Sequence, residues 1–171
     1  MLRKIIFVII FFSLLFSACG TQGDGFGYSI IDGEVTITGY VGFNKNIVIP
    51  HEIYGMPVVT IFNEAFRKKG LRSVVIPDSV THIESQAFAE NRPTSMVIPN
   101  SVTYIGGFAF AENRLTSVVI PASVIEIDAG AFMDNRLTSV VVSSPDMRIG
   151  ESAFAGNSVR SALTPFSVMT Q

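Results

Sequence analysis

Phe66, Phe88, Phe110, Phe132 and Phe154 recur every 22 residues, and no other feature of the chain limits its fold as strongly. Each follows an alanine, at Ala65, Ala87, Ala109, Ala131 and Ala153. Ile61, Ile83, Ile105, Ile127 and Ile149 keep the same spacing five residues earlier, and Asn91, Asn113, Asn135 and Asn157 make a further column. Several columns in one register leave little room for chance. A unit this short cannot bury its own apolar face, so at least three units must stack to bury a continuous core. About five stand here.

Within a unit, Leu115-Thr116-Ser117-Val118-Val119-Ile120-Pro121 is a β-branched run closed by proline, which predicts a short strand. Alternation sends Val118 and Ile120 to one face and Ser117 and Val119 to the other. The counterparts begin at Leu71, Pro93 and Leu137. A second extended piece, Ser123 to Ile127, turns the chain around, and a helical turn is expected at Ala131-Phe132, where strand signals lapse. The phenylalanines are expected to stack as an aromatic spine inside the coil. Upstream, Tyr28 to Thr38 forms two alternating runs around Asp32-Gly33, the signal of a β-hairpin with a type I′ turn, which would cap the first coil. The architecture is thus a mainly β repeat solenoid with an N-terminal capping hairpin over residues 28–43. A period of 20–29 residues with a Leu- or Val-rich strand is that of a leucine-rich-repeat solenoid.

The first eighteen residues read as an address. Arg3 and Lys4 are the only early charges, Ile5 to Phe16 is apolar apart from Ser13, and Ser17, Ala18 and Cys19 are small. That order describes a secretory signal peptide over residues 1–18. The apolar stretch falls short of the roughly 20 residues of a spanning helix. Its removal leaves ten basic against fourteen acidic residues, a net charge of -4. Residues 19–27, polar and Gly-rich, read as a flexible tether. The near-neutral balance leaves no footprint for nucleic acid. Two His and one Cys exclude a Cys/His zinc cluster and an internal disulfide framework. No cofactor and no metal are expected, since no phosphate-cradling Gly loop or calcium repeat is present.

Leu15-Phe16-Ser17-Ala18-Cys19 resembles a bacterial lipobox, with Phe16 where leucine is usual. The resemblance implies that cleavage exposes Cys19 for lipid attachment. Several acyl chains, at ~0.8 kcal/mol per buried methylene, would hold the protein to a membrane durably. The units VVIPDSVTHIESQAF, MVIPNSVTYIGGFAF and VVIPASVIEIDAGAF look like the BspA-type leucine-rich repeats of bacterial surface proteins. The first unit carries five extra residues in HEIYGMPVVTIFNEAF, a form also typical of that family's opening repeat. The resemblance covers residues 44–158 and implies a right-handed coil of about five 22-residue units. It also implies export, often with lipidation or wall attachment. Those studied are implicated in binding host matrix proteins, host cells or other bacteria. The fifth unit, VVVSSPDMRIGESAF, departs: it loses the Ile-Pro pair and puts Asp146 where valine stood. Over residues 159–171 a partial strand and tail are expected, with Val159 on the leucine position and Pro165 blocking edge pairing.

Stacked coils turn every surface column into a ladder with rungs ~4.8 Å apart where strands pair in parallel. One outward row is Val75, Val97, Val119 and Val141, flanked by Ser73, Ser95, Ser117 and Ser139 and by Thr94, Thr116 and Thr138. It is the candidate strip for a protein partner. A candidate charged ridge, Arg92, Arg114 and Arg136, follows Glu90, Glu112 and Asp134 by two residues, and the acidic column is expected to offset it. Arg67-Lys68-Lys69 with Arg72 is the basic cluster, expected as a solvated loop. His51 and His82 have no nucleophile or metal partner at motif spacing, and nothing selects a catalytic pair among Glu84, Glu126 and Asp128. A non-enzymatic, monomeric protein-binding module is therefore expected, lipid-anchored in a bacterial envelope. The outer surface and adhesion are favoured. A periplasm-facing scaffold, or a truncated paralogue without ligand, is the alternative.

Overall fold

The computed structural model describes residues 18–21, 23–144 and 146–163. The leader up to residue 17, and Pro165 with the tail, lie outside the described residues. Among these residues every element is a strand or a turn, wound as a coil with three sides.

One side is a long sheet. It opens with β1 (Ala18–Thr21), β2 (Phe26–Ile31) and β3 (Glu34–Tyr40), each antiparallel to the next. The β2–β3 turn is type I′ in character, with Asp32 at φ 53° and Gly33 at φ 81°. After β4 (Asn46–Val48), β5 (Glu52–Ile53) folds back on β6 (Met56–Ile61), so the extra residues of the first unit make a second tight hairpin around Tyr54-Gly55. β6 runs parallel to β3. From there each coil adds two residues to the long sheet: β8 (His82–Ile83), β9 (Tyr104–Ile105), β11 (Glu126–Ile127) and β13 (Arg148–Ile149), all in parallel register. The stretch 19–27 is thus not a free tether throughout. Ala18–Thr21 pairs with β2, and Phe26, its one large apolar residue, is 3% exposed because it closes the end of the aromatic spine.

The second side carries the Val-rich strands. β7 (Ser73–Val75) pairs with β4, while β10 (Ser117–Ile120), β12 (Ser139–Val142) and β14 (Ser161–Leu163) form a separate parallel sheet. Alternation is as read, with Val118 and Ile120 buried and Ser117 and Val119 exposed. The counterpart beginning at Pro93 forms no strand, and no backbone hydrogen bond joins Ser95–Ile98 to either neighbouring coil. The stretches PTSMVIP (93–99) and LTSVVIP (115–121) differ only at Pro93 and Met96. Proline removes a donor and fixes φ. Met96 is longer than the valines buried at Val74, Val118 and Val140 and stays half-buried. Those two side chains hold the third coil away from the ladder.

The third side is a turn, not the helical turn expected around Ala131-Phe132. Glu64, Gln86, Phe108, Gly130 and Ser152 stand two residues before each phenylalanine, and Lys68, Glu90, Glu112, Asp134 and Gly156 two after. All ten have φ between 52° and 72°. A left-handed residue at every fourth position is incompatible with a right-handed helix. The backbone bonds outward instead: Glu64, Phe66 and Lys68 N–H donate to the carbonyls of Ser85, Ala87 and Ala89 in the next coil, at 3.1, 2.8 and 3.1 Å.

Two ladders fill the interior. The rings of Phe66, Phe88, Phe110, Phe132 and Phe154 stack at centroid distances of 5.1, 5.5, 5.1 and 5.3 Å, nearly parallel. Phe26 and Tyr40 cover the Phe66 end. Asn91, Asn113 and Asn135 are buried. Each Nδ2 donates to the phenylalanine carbonyl of its own coil and of the preceding one, as Asn135 does to Phe132 and Phe110 at 3.1 and 2.8 Å. Oδ1 accepts from a leucine N–H of the preceding coil: Leu71 to Asn91, Leu115 to Asn135 and Leu137 to Asn157. Pro93 has no such proton, and Asn113 Oδ1 accepts from Asn91 N–H at 3.1 Å instead.

Candidate partner-binding surface

The candidate strip lies on the Val-rich side, and the structure divides it. Ser117 pairs with Ser139, and Val119 with Val141, in one register. Ser73 and Val75 pair instead with Asn46 and Val48. Ser95 and Val97 belong to neither sheet, so the row expected to run unbroken is interrupted at the third coil. A cleft of about 310 Å3 opens there, lined by Ser73, Val75, Asp78, Ser95, Met96 and Val97 among others. Val75, Val97 and Val119 are 52%, 80% and 57% exposed, while Val141 and Ser139 are half-buried. Two of the threonine hydroxyls join coils rather than standing free: Thr116 Oγ1 donates to Thr94 O and Thr138 Oγ1 to Thr116 O, both at 3.3 Å.

The charged columns do not neutralise one another. Glu90 binds Arg67 and Lys68 of the preceding coil, at 2.7 and 3.0 Å, and not Arg92. The hydrogen bonds from Arg67 and then Lys68 hold the Glu90 carboxyl below the usual carboxylate range. Arg67 also pairs with Glu64, so this part of the basic cluster is engaged rather than merely solvated. The acids stand on the turn side, and the arginines follow the buried asparagines around the corner. Arg92, Arg114 and Arg136 are exposed and make no ion pair among the described residues. Two arginines outside that column extend the ridge. Arg72 and Arg160 occupy the threonine column one period before Thr94 and one after Thr138, and both are exposed.

On the long sheet, His82, Glu84, Thr103, Tyr104, Ile125 and Glu126 line an open groove of about 470 Å3. Tyr104 donates to Asp128 Oδ2 at 2.6 Å, and that carboxylate, with partial burial, pushes the phenol up to about 12. Glu126 pairs with Arg148, and Thr81 Oγ1 sits 2.9 Å from His82 Nδ1. His51 lies exposed beside Glu52, on the other hairpin. These groups are tied to each other or to solvent. Among the described residues no three His, Cys, Asp or Glu gather to hold a metal ion. Cys19 lies in β1, its backbone paired with Ser29.

A three-sided coil, an asparagine ladder and a flat Val-rich side define a leucine-rich-repeat β-solenoid. Residues 45–170 match the model of the BspA-type leucine-rich-repeat region in six copies, and the chain belongs to that family. The six copies are one more than the five phenylalanines mark. Among curated proteins no match is found. Among solved structures, the chain is similar to a leucine-rich-repeat protein of T. pallidum, at 23% identity and TM-score 0.56, over 83% of this chain and 85% of that one. It is also similar to a leucine-rich cell surface protein of Faecalibacterium prausnitzii (24% identity, TM-score 0.51, 84% of this chain and 55% of that). A leucine-rich-repeat protein of Bacteroides ovatus matches at 18% identity and TM-score 0.52, over 90% and 54%. The chain spans about half the length of the latter two. At these identities the likeness is one of fold, and the family is one of protein-binding surface modules.

Proposed function

We propose that the chain is a cell-envelope lipoprotein, anchored through Cys19, that holds a protein partner on its Val-rich side and does no catalysis. Adhesion to host matrix, host cells or other bacteria is the process it serves. The observation that supports this reading is the exposure of Val75, Val97 and Val119, from three successive coils, on the Val-rich side. Isolated exposed valines need no explanation, but exposed valines gathered on one side and edged with hydroxyls suit a protein contact. A contact this small gives modest affinity, and many tethered copies on one membrane add avidity.

Protease shaving of intact cells, with a periplasmic protein as control, tests the location. Loss of the solenoid while the control survives is the expected result. Survival until the envelope is broken removes the adhesion reading and leaves a periplasm-facing scaffold. Radiolabelled palmitate should enter the wild-type chain and not Cys19→Ala. Val119→Asp, which places a carboxylate in the row, should abolish capture of the partner without loss of fold.

A further inference from the structure

We infer that the partner on this surface is an extended, acidic polypeptide segment: its carboxylates lie along Arg72, Arg92, Arg114, Arg136 and Arg160, and one of its apolar side chains enters the cleft between Val75 and Val97. The inference rests on the protein-binding reading above and names the chemistry of the partner.

The ridge is the unusual part. Arg67, Lys68 and Arg148 each have a carboxylate within 3.0 Å. The five ridge arginines are exposed and have none among the described residues. Backbone bonds hold them in coil register, with Arg92, Arg114 and Arg136 N–H donating to Leu71, Pro93 and Leu115 carbonyls at 2.8, 3.2 and 2.9 Å. Like charges are therefore stacked one coil apart, on a chain whose net charge is -2. Such a row concentrates positive potential along a line, and an anionic chain lying on it relieves the repulsion.

The cleft supplies what an anion alone would not use. It exists because Pro93 and Met96 keep Ser95–Ile98 out of the ladder, and at about 310 Å3 it is several times the volume of a water. Val75, Met96 and Val97 give it apolar walls. The backbone of Ser95–Ile98 bonds neither neighbouring coil, so its amides have no partner within the coil stack. A sulfated polysaccharide would engage the arginines and leave the cleft, the valines and these amides unused. A polypeptide with alternating acidic and apolar side chains engages all of them.

The test uses the full chain and three labelled decapeptides, alternating Glu-Val, Ser-Val and Lys-Val, with heparin as a fourth probe. Binding is followed by fluorescence polarisation across a salt series. The Glu-Val peptide should bind about tenfold or more tighter than Ser-Val, lose affinity as salt rises, and leave Lys-Val unbound. R92Q/R114Q/R136Q should bring Glu-Val down to the Ser-Val level and flatten its salt dependence. P93L/M96V, which rebuilds the strand and closes the cleft, should weaken Glu-Val several-fold with the circular dichroism spectrum retained. Equal binding of Glu-Val and Ser-Val, both abolished by Val119→Asp, overturns the acidic partner and leaves protein binding standing. Arginine-dependent heparin binding without Glu-Val binding overturns it too, and gives the ridge to a polysaccharide. If no peptide binds and Val119→Asp leaves partner capture by cells unchanged, the protein-binding reading falls with it.

Discussion

Asn113→Ala tests whether the asparagine ladder holds the coil together. Asn113 is 6% exposed and makes four hydrogen bonds: Nδ2 to the carbonyls of Phe88, Phe110 and Ala111, at 3.0, 2.9 and 3.2 Å, and Oδ1 from Asn91 N–H. Truncation does not strand the carbonyls. Phe88 O keeps Asn91 Nδ2 at 2.9 Å, Phe110 O keeps Asn135 Nδ2 at 2.8 Å, and Ala111 O keeps Glu90 N–H at 3.0 Å. Asn91 N–H keeps no acceptor. One orphaned buried amide costs about 1–3 kcal/mol, and three lost second bonds cost about 0.5–1 kcal/mol each, so the expected loss is about 4 kcal/mol. Asn157→Ala strands Leu137 N–H in the same way, but that site is half-buried and water can substitute, so about 1–2 kcal/mol is expected there. Asn113→Asp keeps the acceptor for Asn91 and turns an oxygen toward three carbonyls, which should cost more than alanine. The chain has no tryptophan, so urea unfolding is followed by far-UV circular dichroism. Hydrogen exchange at Asn91 gives the local readout. A loss below about 1 kcal/mol for Asn113→Ala, equal losses at Asn113 and Asn157, or an Asn91 amide that stays protected would refute the reasoning.

Three further outcomes are expected. P93L/M96V should raise stability by about 1–2 kcal/mol and protect the amides of Ser95–Ile98, since leucine adds for Asn113 Oδ1 the N–H donor that Asn91, Asn135 and Asn157 receive from a leucine, and valine refits the slot; thermal melts and hydrogen exchange check it. Tyr104 titrates higher in the folded chain, at about 12 against an ordinary 10, because Asp128 accepts its proton. Its contribution is thus complete below pH 10 and lost as the pH rises toward about 12, and Tyr104→Phe should remove that alkaline loss from the melting profile. Glu90 titrates lower, chiefly through Arg67, so its contribution is present above its ordinary 4.5 and lost as the pH falls below it; Glu90→Gln should flatten the acid limb of the profile.

What the sequence made legible follows from the repeat. A column of phenylalanine, isoleucine or asparagine marks one environment met four or five times, so the spine and the buried strand faces are legible in the sequence, as is the N-terminal hairpin. The turn looks helical in the sequence because eight of its ten left-handed positions hold residues other than glycine, Glu64, Gln86, Lys68 and Phe108 among them. Only Gly130 and Gly156 carry the usual mark of that conformation. Strand signals lapse there because each turn bonds to its neighbours through alternate N–H groups rather than along a ladder. The offset of Glu90 against Arg92 failed for a related reason. Sequence proximity does not show that a buried asparagine separates them around a corner of the coil, while Arg67, 23 residues before Glu90, lies against it.

The candidate site was legible only where the repeat holds, and its distinguishing parts lie where the repeat fails. Rows of valine, serine and threonine could be listed from the period alone, but they describe any flat parallel sheet. Pro93 and Met96 are two exceptions in an otherwise repeated stretch, and together they open the cleft and free the backbone of Ser95–Ile98. Arg72 and Arg160 are exceptions in the threonine column, and they lengthen a ridge that three arginines begin. In a solenoid the columns must satisfy the same stacking in every coil, so they carry architecture. A partner that recognises one place on such a molecule has only the exceptions to distinguish it, and here Arg72 stands in the coil next to Pro93 and Met96.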